Sequence, residues 1–343
     1  MRSIYGLSLK DLENYLIENS MKPFHGKQIF RWLYHKRVRS FDEMSDISKK
    51  MIEKLKEDFS MEELGIVSMQ TSKDGTKKFL FEMDDGSLVE SVLMVFDYGF
   101  SACLSSQVGC NMGCNFCASG LLKKQRDLRS DEIVSQALMI QRELDKDGER
   151  LGNIVVMGTG EPFDNYDNVM KAMSIINEPL GLEIGARHIS ISTCGLVPGI
   201  RRFAKENLQY NLAISLHAPN NALRDTLMPI NKAYPLEVLF DALHEYCSLN
   251  NRRLTFEYLL LKDVNDSPKQ ADQIAELLKG MNAYINLIPY NKVDEKDYET
   301  SSNENALRFY DLLKKRNVAV TLRQKKGDDI DAACGQLRAK TLK

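Results

Sequence analysis

The segment Cys110-Asn-Met-Gly-Cys114-Asn-Phe-Cys117 places three cysteines on one short loop of a 343-residue chain. Thiolates are the usual ligands of iron–sulfur clusters and are common ligands of zinc. The C-x3-C-x2-C spacing differs from the paired spacing of zinc fingers and ribbons, and the loop has no histidine to act as a fourth zinc ligand. Three thiolates would leave one iron of a cubane cluster open to a non-protein ligand, so the spacing favours an iron–sulfur cluster over zinc.

Strands and helices alternate on the C-terminal side of Tyr98. The predicted strands cover residues 101–106, 153–157, 188–192, 211–215, 254–260, 284–288 and 318–322. The predicted helices between them cover residues 131–144, 168–176, 198–205, 236–247, 269–279 and 304–315. Six β-α units predict a parallel sheet that is curled into a barrel or partial barrel.

Unusual polar residues follow the predicted strands of this barrel. The three cysteines follow the first strand, and residues 158–161 follow the second. Thr193 and Cys194, residues 215–217 and Asn291 lie at the ends of later strands. Because the C-terminal ends of barrel strands meet at one mouth, these loops are expected to form one site.

The residues before the barrel have a different pattern. Residues 1–60 predict a small helical module, with Ser8 and Asp11 as a capping-box-like start of its first helix and a second helix over 27–36. Residues 61–97 predict a linker and a β-hairpin, which leaves residues 98–343 for the barrel and a C-terminal loop.

A run of basic residues lies in the helical module between residues 22 and 40, without an acidic residue among them. Such a run is most often a solvated face. Here it is interleaved with aromatic residues, which suits phosphate contact together with base stacking, so RNA binding is the functional alternative.

Composition limits the class of protein. The net charge of −2 indicates no particular partner, and no apolar run is long enough to cross a bilayer. Seven cysteines are an odd and clustered set, which argues against a disulfide framework. These features predict a cytoplasmic protein with no membrane partner.

The cysteine spacing resembles that of the radical S-adenosylmethionine (SAM) superfamily, and longer stretches resemble its RNA adenine carbon-2 methyltransferases. Those stretches are DGTKKFLFEMDDGSLVESVLM, SSQVGC, GEPFDNYDNV, RHISISTCGLVPGI, AISLHAPN, FEYLLLKDVNDSP, NLIPYN and DIDAACGQL. They run from the hairpin to near the C-terminus. The resemblance implies an α/β fold: a radical-SAM partial (β/α)6 barrel with a small N-terminal helical RNA-binding module and a β-hairpin extension.

The resemblance also implies roles for individual residues. The implied cofactors are a 4Fe-4S cluster, held by Cys110, Cys114 and Cys117, and SAM. The implied SAM contacts are Gly160, Glu161, Ser192, Ser215, Leu216, His217 and Asn291. The implied catalytic residues are Cys334, which becomes S-methylated, the resolving cysteine Cys103, and the proton acceptor Glu90.

Other readings of single residues stay open. An isolated cysteine such as Cys334 is more often a small buried apolar residue. A strand carboxylate such as Glu90 is more often a solvated charge. A histidine at a strand end, such as His217, is more often structural.

The implied reaction methylates carbon 2 of adenine, at adenine 2503 in the peptidyl transferase centre of 23S rRNA and at adenine 37 of tRNA. That carbon is electron-poor and does not attack a SAM methyl group, so one SAM first methylates Cys334 and a second supplies a 5′-deoxyadenosyl radical that activates this methyl group. Glu90 then removes the carbon-2 proton, and Cys103 attacks the Cys334 sulfur, which leaves a disulfide. The implied partners include an electron donor such as flavodoxin or ferredoxin, and the chain is expected to be a monomer.

Two alternatives remain. The nearer one is methylation of carbon 8 of the same adenine by a sister class with similar cysteines, although Pro162 after Gly160-Glu161 is more similar to the carbon-2 group. The other is a non-catalytic RNA-binding protein that holds an iron–sulfur cluster or zinc.

Overall fold

A ten-stranded sheet runs through the computed structural model, which describes residues 1–333 and 335–337. Its strands, numbered here in chain order, are β1 Gly65–Thr71, β2 Lys77–Glu82, β3 Leu88–Phe96, β4 Gly99–Cys103, β5 Leu151–Val156, β6 Ile189–Thr193, β7 Asn211–Ser215, β8 Leu254–Leu260, β9 Ala283–Pro289 and β10 Val320–Leu322. Each strand pairs with the strands before and after it in the chain. The pairing is antiparallel from β1 to β4 and parallel from β4 to β10.

The sheet is strongly curled. Strands β10 and β3 are seven positions apart in the strand order, which would separate them by roughly 34 Å in a flat sheet. Yet Arg323, the residue after β10, donates from Nη2 to the Met94 Sδ on β3 at 3.7 Å. The parallel strands therefore form the predicted partial barrel, and the antiparallel hairpin continues the same sheet.

Helices connect the parallel strands. The α-helices are α1 Leu9–Glu18, α2 His25–Phe30, α3 Lys49–Asp58, α4 Ser130–Asp145, α5 Tyr166–Asn177, α6 Val197–Lys205, α7 Asn221–Leu227, α8 Leu236–Leu249, α9 Pro268–Leu277 and α10 Asn303–Lys315. Helices α4, α5, α6, α8, α9 and α10 lie within two residues of the six predicted barrel helices at both ends. Helix α7, between β7 and α8, has no counterpart in the sequence prediction. No helix in the described part of the chain is long and apolar enough to cross a membrane.

The N-terminal helices pack on the barrel. The Ser8 Oγ accepts from the Asp11 amide at 3.1 Å and the Asp11 carboxylate accepts from the Ser8 amide at 3.0 Å, so the predicted capping box is present. The predicted helix over 27–36 is instead divided, because α2 ends at Phe30 and Arg31–His35 forms a π-helical turn. The wider turn lets both Leu33 and Tyr34 enter the core.

The segment from 323 to 337 leaves β10 and contacts the β1–β2 hairpin. The Asp74 carboxylate accepts from the Gly327 amide at 3.1 Å, and the Ser72 hydroxyl donates to Asp329. The Lys78 Nζ donates to the Asp331 carbonyl at 3.4 Å. The predicted S-methylated residue, Cys334, lies in this segment but outside the described residues.

Candidate active site

One cavity at the C-terminal ends of the parallel strands gathers most of the predicted site. Its lining includes all three predicted cluster ligands and five of the predicted SAM contacts: Cys110, Cys114, Cys117, Gly160, Glu161, Ser192, Ser215 and His217. Leu216 is fully buried behind this wall. Asn291 lines a neighbouring cavity, which shares Arg323 and Ile288 with the first. The structure thus brings the loops after β4, β5, β6 and β7 to one mouth.

The cysteine loop is held by backbone hydrogen bonds. The Cys110 amide donates to the Leu122 carbonyl at 2.9 Å, and the Asn115 amide donates to the Leu227 carbonyl at 2.9 Å. Gly109 has a φ of +76°, and a Cβ there would lie 2.3 Å from the Lys123 carbonyl oxygen, so only glycine fits. The loop geometry is therefore set by the main chain of its neighbours.

The three thiols of the cysteine loop are half-buried. Burial raises the pKa of Cys110 to about 11 and raises that of Cys114 further, so both thiols are protonated at neutral pH unless a metal displaces the proton. Within residues 1–333 and 335–337, no three His, Cys, Asp or Glu side chains converge as ligands of one metal ion. A cubane cluster does not need such convergence, because each thiolate binds a different iron.

Glu161 and Gly160 shape the side of the cavity after β5. The Glu161 carboxylate accepts from the amides of Cys194 at 2.8 Å and Phe163 at 3.1 Å. Burial nevertheless raises its pKa, with these hydrogen bonds acting in the opposite direction. Gly160 has a φ of +111°, and a Cβ there would lie 2.6 Å from the Ser106 Oγ, so only glycine lets this turn pack against its protein neighbours.

His217 is a neutral hydrogen-bond donor. Its Nδ1 accepts from the Leu259 amide at 3.1 Å, so in the neutral ring the proton is on Nε2. Burial, together with the charge of Arg224, lowers its pKa to about 3. The residue has a φ of +53° and packs edge-to-face on Phe116 with ring centroids 4.8 Å apart. A non-glycine residue held in this conformation beside a cavity is typical of a functional position.

The predicted catalytic residues Glu90 and Cys103 lie on neighbouring strands. Cys103 pairs with Val92 across β4 and β3, and Glu90 is two residues from Val92, so all three side chains lie on the same face of the sheet. Glu90 is only 6% exposed and forms an ion pair with Lys78 at 3.3 Å. The alternative reading of Glu90 as a solvated charge is therefore wrong, and its predicted role as proton acceptor stays a prediction.

The C-terminal segment covers this face. Ala332 and Leu337 pack with Val92 and Met94, and Cys103 lies against the same cluster. The Ala118 amide, next to the cysteine loop, donates to the Gly335 carbonyl at 2.7 Å. The chain on both sides of position 334 thus contacts the predicted resolving cysteine and the predicted cluster loop.

Several residues at or behind the cavity wall were not predicted from the sequence to have a role there. Glu257 on β8 lines the cavity and accepts from the Asn286 Nδ2 at 3.0 Å. Its signal was a single carboxylate within the apolar strand LTFEYLL. Cys194, which the sequence placed at a strand end without a role in the reaction, lines the same cavity. Arg224 behind the wall had no sequence signal, because an arginine in a polar segment is normally exposed.

The basic face of the N-terminal module is smaller than the sequence suggested. Arg37 forms an ion pair with Asp145 at 2.6 Å, Arg39 forms one with Glu63 at 3.5 Å, and the Lys36 Nζ lies 3.4 Å from the centroid of the Trp32 ring. Three exposed cations of this run have neither an ion pair nor a ring contact among the described residues: Lys22, Lys27 and Arg31. Phe24, between the two lysines in the chain, is 53% exposed.

Comparisons with known proteins agree with this geometry. The radical SAM superfamily matches residues 104–278, and a ribosomal RNA large subunit methyltransferase N-terminal domain matches residues 3–61. A probable dual-specificity RNA methyltransferase RlmN from Streptococcus suis (strain 98HAH33) is 54% identical over 346 residues, covering 99% of this chain and 94% of the relative. The Enterococcus faecalis (strain ATCC 700802 / V583) protein of the same description is 53% identical, covering 99% of this chain and 97% of the relative.

A solved structure gives the same result. The crystal structure of a radical SAM methyltransferase from Sphaerobacter thermophilus has a TM-score of 0.94 and 40% identity, covering 99% of this chain and 100% of that one. This match confirms the predicted α/β fold class. Proteins of the superfamily use a 4Fe-4S cluster and SAM, which confirms the predicted cofactors. The chain therefore belongs to the radical SAM superfamily and, within it, to the RlmN family of RNA methyltransferases.

Proposed function

We propose that this chain methylates carbon 2 of adenine in 23S rRNA and in tRNA, at adenine 2503 and adenine 37 respectively. The observation that carries the proposal is the position of the segment around residue 334. Its described neighbours contact both the cysteine loop, through Gly335, and the face that holds Cys103, through Ala332. The description of the relatives as dual-specificity RNA methyltransferases supports two classes of RNA substrate.

The cluster and SAM would share the main cavity. Cys110, Cys114 and Cys117 would hold the cluster, whose electron makes the reductive cleavage of SAM possible. Gly160 and Glu161 would face the methionine end of SAM, because both line the cavity that also contains the three cysteines. His217 would donate from its neutral Nε2, and Ser192 and Ser215 would add hydroxyl contacts from the same wall. Leu216, which is buried behind this wall, and Asn291, which lines the neighbouring cavity, would complete the SAM contacts.

Cys334 would carry the methyl group between SAM and the adenine. A thiolate is a competent nucleophile for a SAM methyl group, whereas the electron-poor carbon 2 is not. Once the sulfur-bound carbon is joined to the ring, Glu90 would take the carbon-2 proton. Its burial beside Lys78 keeps the carboxylate away from bulk water on the face that the C-terminal segment covers.

Cys103 would release the product. Its thiolate would attack the Cys334 sulfur, so that a sulfur–sulfur bond forms as the sulfur–carbon bond breaks. The electron pair of the broken bond stays with the transferred carbon, which takes one proton and becomes the methyl group. Both sulfurs are oxidised in this step, so an external thiol reductant would reset them. No disulfide joins two of the described cysteines, and the proposed pairing depends on Cys334, outside that set. We further propose flavodoxin or ferredoxin as the electron donor and a monomeric enzyme.

An anaerobic assay with methyl-labelled SAM tests this function. The reconstituted protein is incubated with a 23S rRNA fragment or with tRNA, and the digested RNA is analysed by mass spectrometry. We expect 2-methyladenosine from both RNAs and methylated Cys334 in the protein. Formation of 8-methyladenosine would instead support the sister activity. RNA binding with no SAM consumption would support the non-catalytic alternative.

A further inference from the structure

Arg224 on α7 is a completely buried guanidinium directly behind the cavity wall. Its Nη2 donates to the carbonyls of Cys194 at 2.7 Å and Ser215 at 3.2 Å, and its Nε donates to the Leu216 carbonyl at 3.3 Å. Its Nη1 donates to the Asn231 Oδ1 at 3.0 Å. One side chain thus joins α7 to the ends of β6 and β7, where predicted SAM contacts lie.

All of these acceptors are neutral. Among the described residues Arg224 forms no ion pair, and its hydrogen bonds reach the carboxylate of Asp225 only through Asn231, whose Nδ2 donates to it at 2.7 Å. An arginine side chain remains charged in proteins. A buried charge without a counter-charge is strongly unfavourable, so another group near Arg224 is expected to balance it.

Thiolate ligands in the cysteine loop would supply negative charge close to α7, in addition to the Asp225 carboxylate. Asn115, between the second and third cysteines, donates to the carbonyls of Leu227 and Thr226 at the end of α7. Met228, the next residue, lines the cavity together with Cys114. Burial lowers the pKa of Arg224, whereas negative charge on the sulfurs of Cys194 and Cys114, if deprotonated, and on the Asp225 carboxylate raises it. The loop is therefore docked on the short helix that carries the guanidinium.

We infer that Arg224 is the buried counter-charge of the thiolate-bound cluster, and that its positive charge raises the reduction potential of that cluster. The inference rests on the ligand set in the proposed function. Net charge near an iron–sulfur cluster is one of the factors that set its potential. Added electron density is stabilised by a nearby cation, so loss of the cation makes reduction harder.

The test compares a charge-retaining with a neutral substitution. Arg224→Lys keeps the charge and loses hydrogen bonds, whereas Arg224→Gln loses both. Each protein is reconstituted anaerobically without RNA, and the cluster is titrated with reductant while its electron paramagnetic resonance signal is recorded. For Arg224→Gln we expect roughly a tenfold lower ratio of reduced to oxidised cluster at a fixed potential, or about 59 mV for one electron. For Arg224→Lys we expect a potential close to that of the unmodified chain.

Equal potentials in all three proteins, or equal shifts in both variants, would overturn the inference, because hydrogen bonding alone would then explain the residue. Equal loss of cluster from both variants would also overturn the inference, because the hydrogen bonds of Arg224 rather than its charge would then be what matters. If Arg224→Gln does not fold, Arg224→Met serves as a second neutral variant. A lower potential in Arg224→Met than in Arg224→Lys would support the inference, and equal potentials in these two variants would overturn it. If the unmodified chain holds no cluster, the proposed ligand set fails instead.

Discussion

The two loops that meet at the cavity are anchored in different ways. The cysteine loop is fixed largely by main-chain hydrogen bonds, such as those from Cys110 to Leu122 and from Asn115 to Leu227. The C-terminal segment is attached to the hairpin largely by side chains, notably Asp74 and Lys78. Main-chain anchors survive most substitutions, whereas side-chain anchors can be removed singly. The proposed cofactor-binding part of the site thus belongs to the barrel, and the segment that carries the proposed methyl carrier is attached to the hairpin.

The largest expected effect lies in the cysteine loop. Replacing Cys114 with alanine removes one of three cluster ligands, so we expect loss of nearly all bound iron and of detectable RNA methylation. Iron and sulfide analysis together with the methylation assay measures both. The matched control is Cys247→Ala on α8, at a half-buried cysteine outside the cavity, which should keep iron and activity. Normal iron content in the Cys114 variant would refute the proposal that the cysteine loop holds the cluster.

The next largest effect should distinguish cluster binding from the release of the product. Cys103→Ala should keep its cluster, lose multiple turnover, and accumulate a covalent protein–RNA adduct, because only the release step needs this thiol. Denaturing gel electrophoresis with labelled RNA detects the adduct. The double variant Cys103→Ala/Cys334→Ala lacks the methyl carrier and should form none. Continued turnover by the single variant would refute the role of Cys103.

A smaller effect should come from the hairpin anchor. Asp74→Ala removes the acceptor of the Gly327 amide, a hydrogen bond worth about 1 kcal/mol, so methylation should slow roughly fivefold while iron content stays unchanged. Asp84→Ala, in the other hairpin turn, removes only an exposed ion pair with Arg129 and serves as the control. Equal rates for both variants would show that the anchor does not position the carrier segment.

The smallest effect on the methylation rate is expected from the N-terminal module. Its exposed cations do not contact the cysteine loop or the C-terminal segment among the described residues. Replacing Lys22, Lys27 and Arg31 with alanine should weaken RNA binding most at low salt and reduce the salt slope by about 2 to 3. The rate at saturating RNA should not change. Arg37→Ala, which breaks the ion pair with Asp145, should lower the melting temperature more than the salt slope. Filter binding across a salt series measures the slopes, and an unchanged slope in the triple variant would exclude this face as a phosphate contact.

The barrel could be predicted because its signals are local. Period-two and period-3.6 apolar patterns mark β7 and α5, and the observed bounds of both lie within two residues of the prediction. The polar residues at the strand ends predicted the position of the site at the mouth of the barrel, because this signal is also local in the sequence. The π-helical turn at Arg31–His35 was missed because a helical pattern does not show where the period widens by one residue.

Contacts distant in sequence could not be predicted in this way. The anchoring of Gly327 by Asp74 and the burial of Arg224 leave no trace in local patterns, because each depends on which surfaces the fold brings together. Arg37 has the sequence pattern of a free cation, yet the fold places Asp145, over a hundred residues away, beside it. The burial of Glu90 is also not visible in the local sequence, because it depends on the neighbouring strands of the sheet.

The hairpin contacts of the C-terminal segment also bear on how the chain matures. Ser72 and Asp329 are 257 positions apart, so this contact forms only after Asp329 has left the ribosome, long after the hairpin has been synthesised. The three clustered cysteines emerge more than two hundred residues earlier than Cys334. Vectorial synthesis therefore delivers the proposed cluster ligands long before the proposed methyl carrier, and a chain terminated shortly after β10 would lack Cys334 altogether.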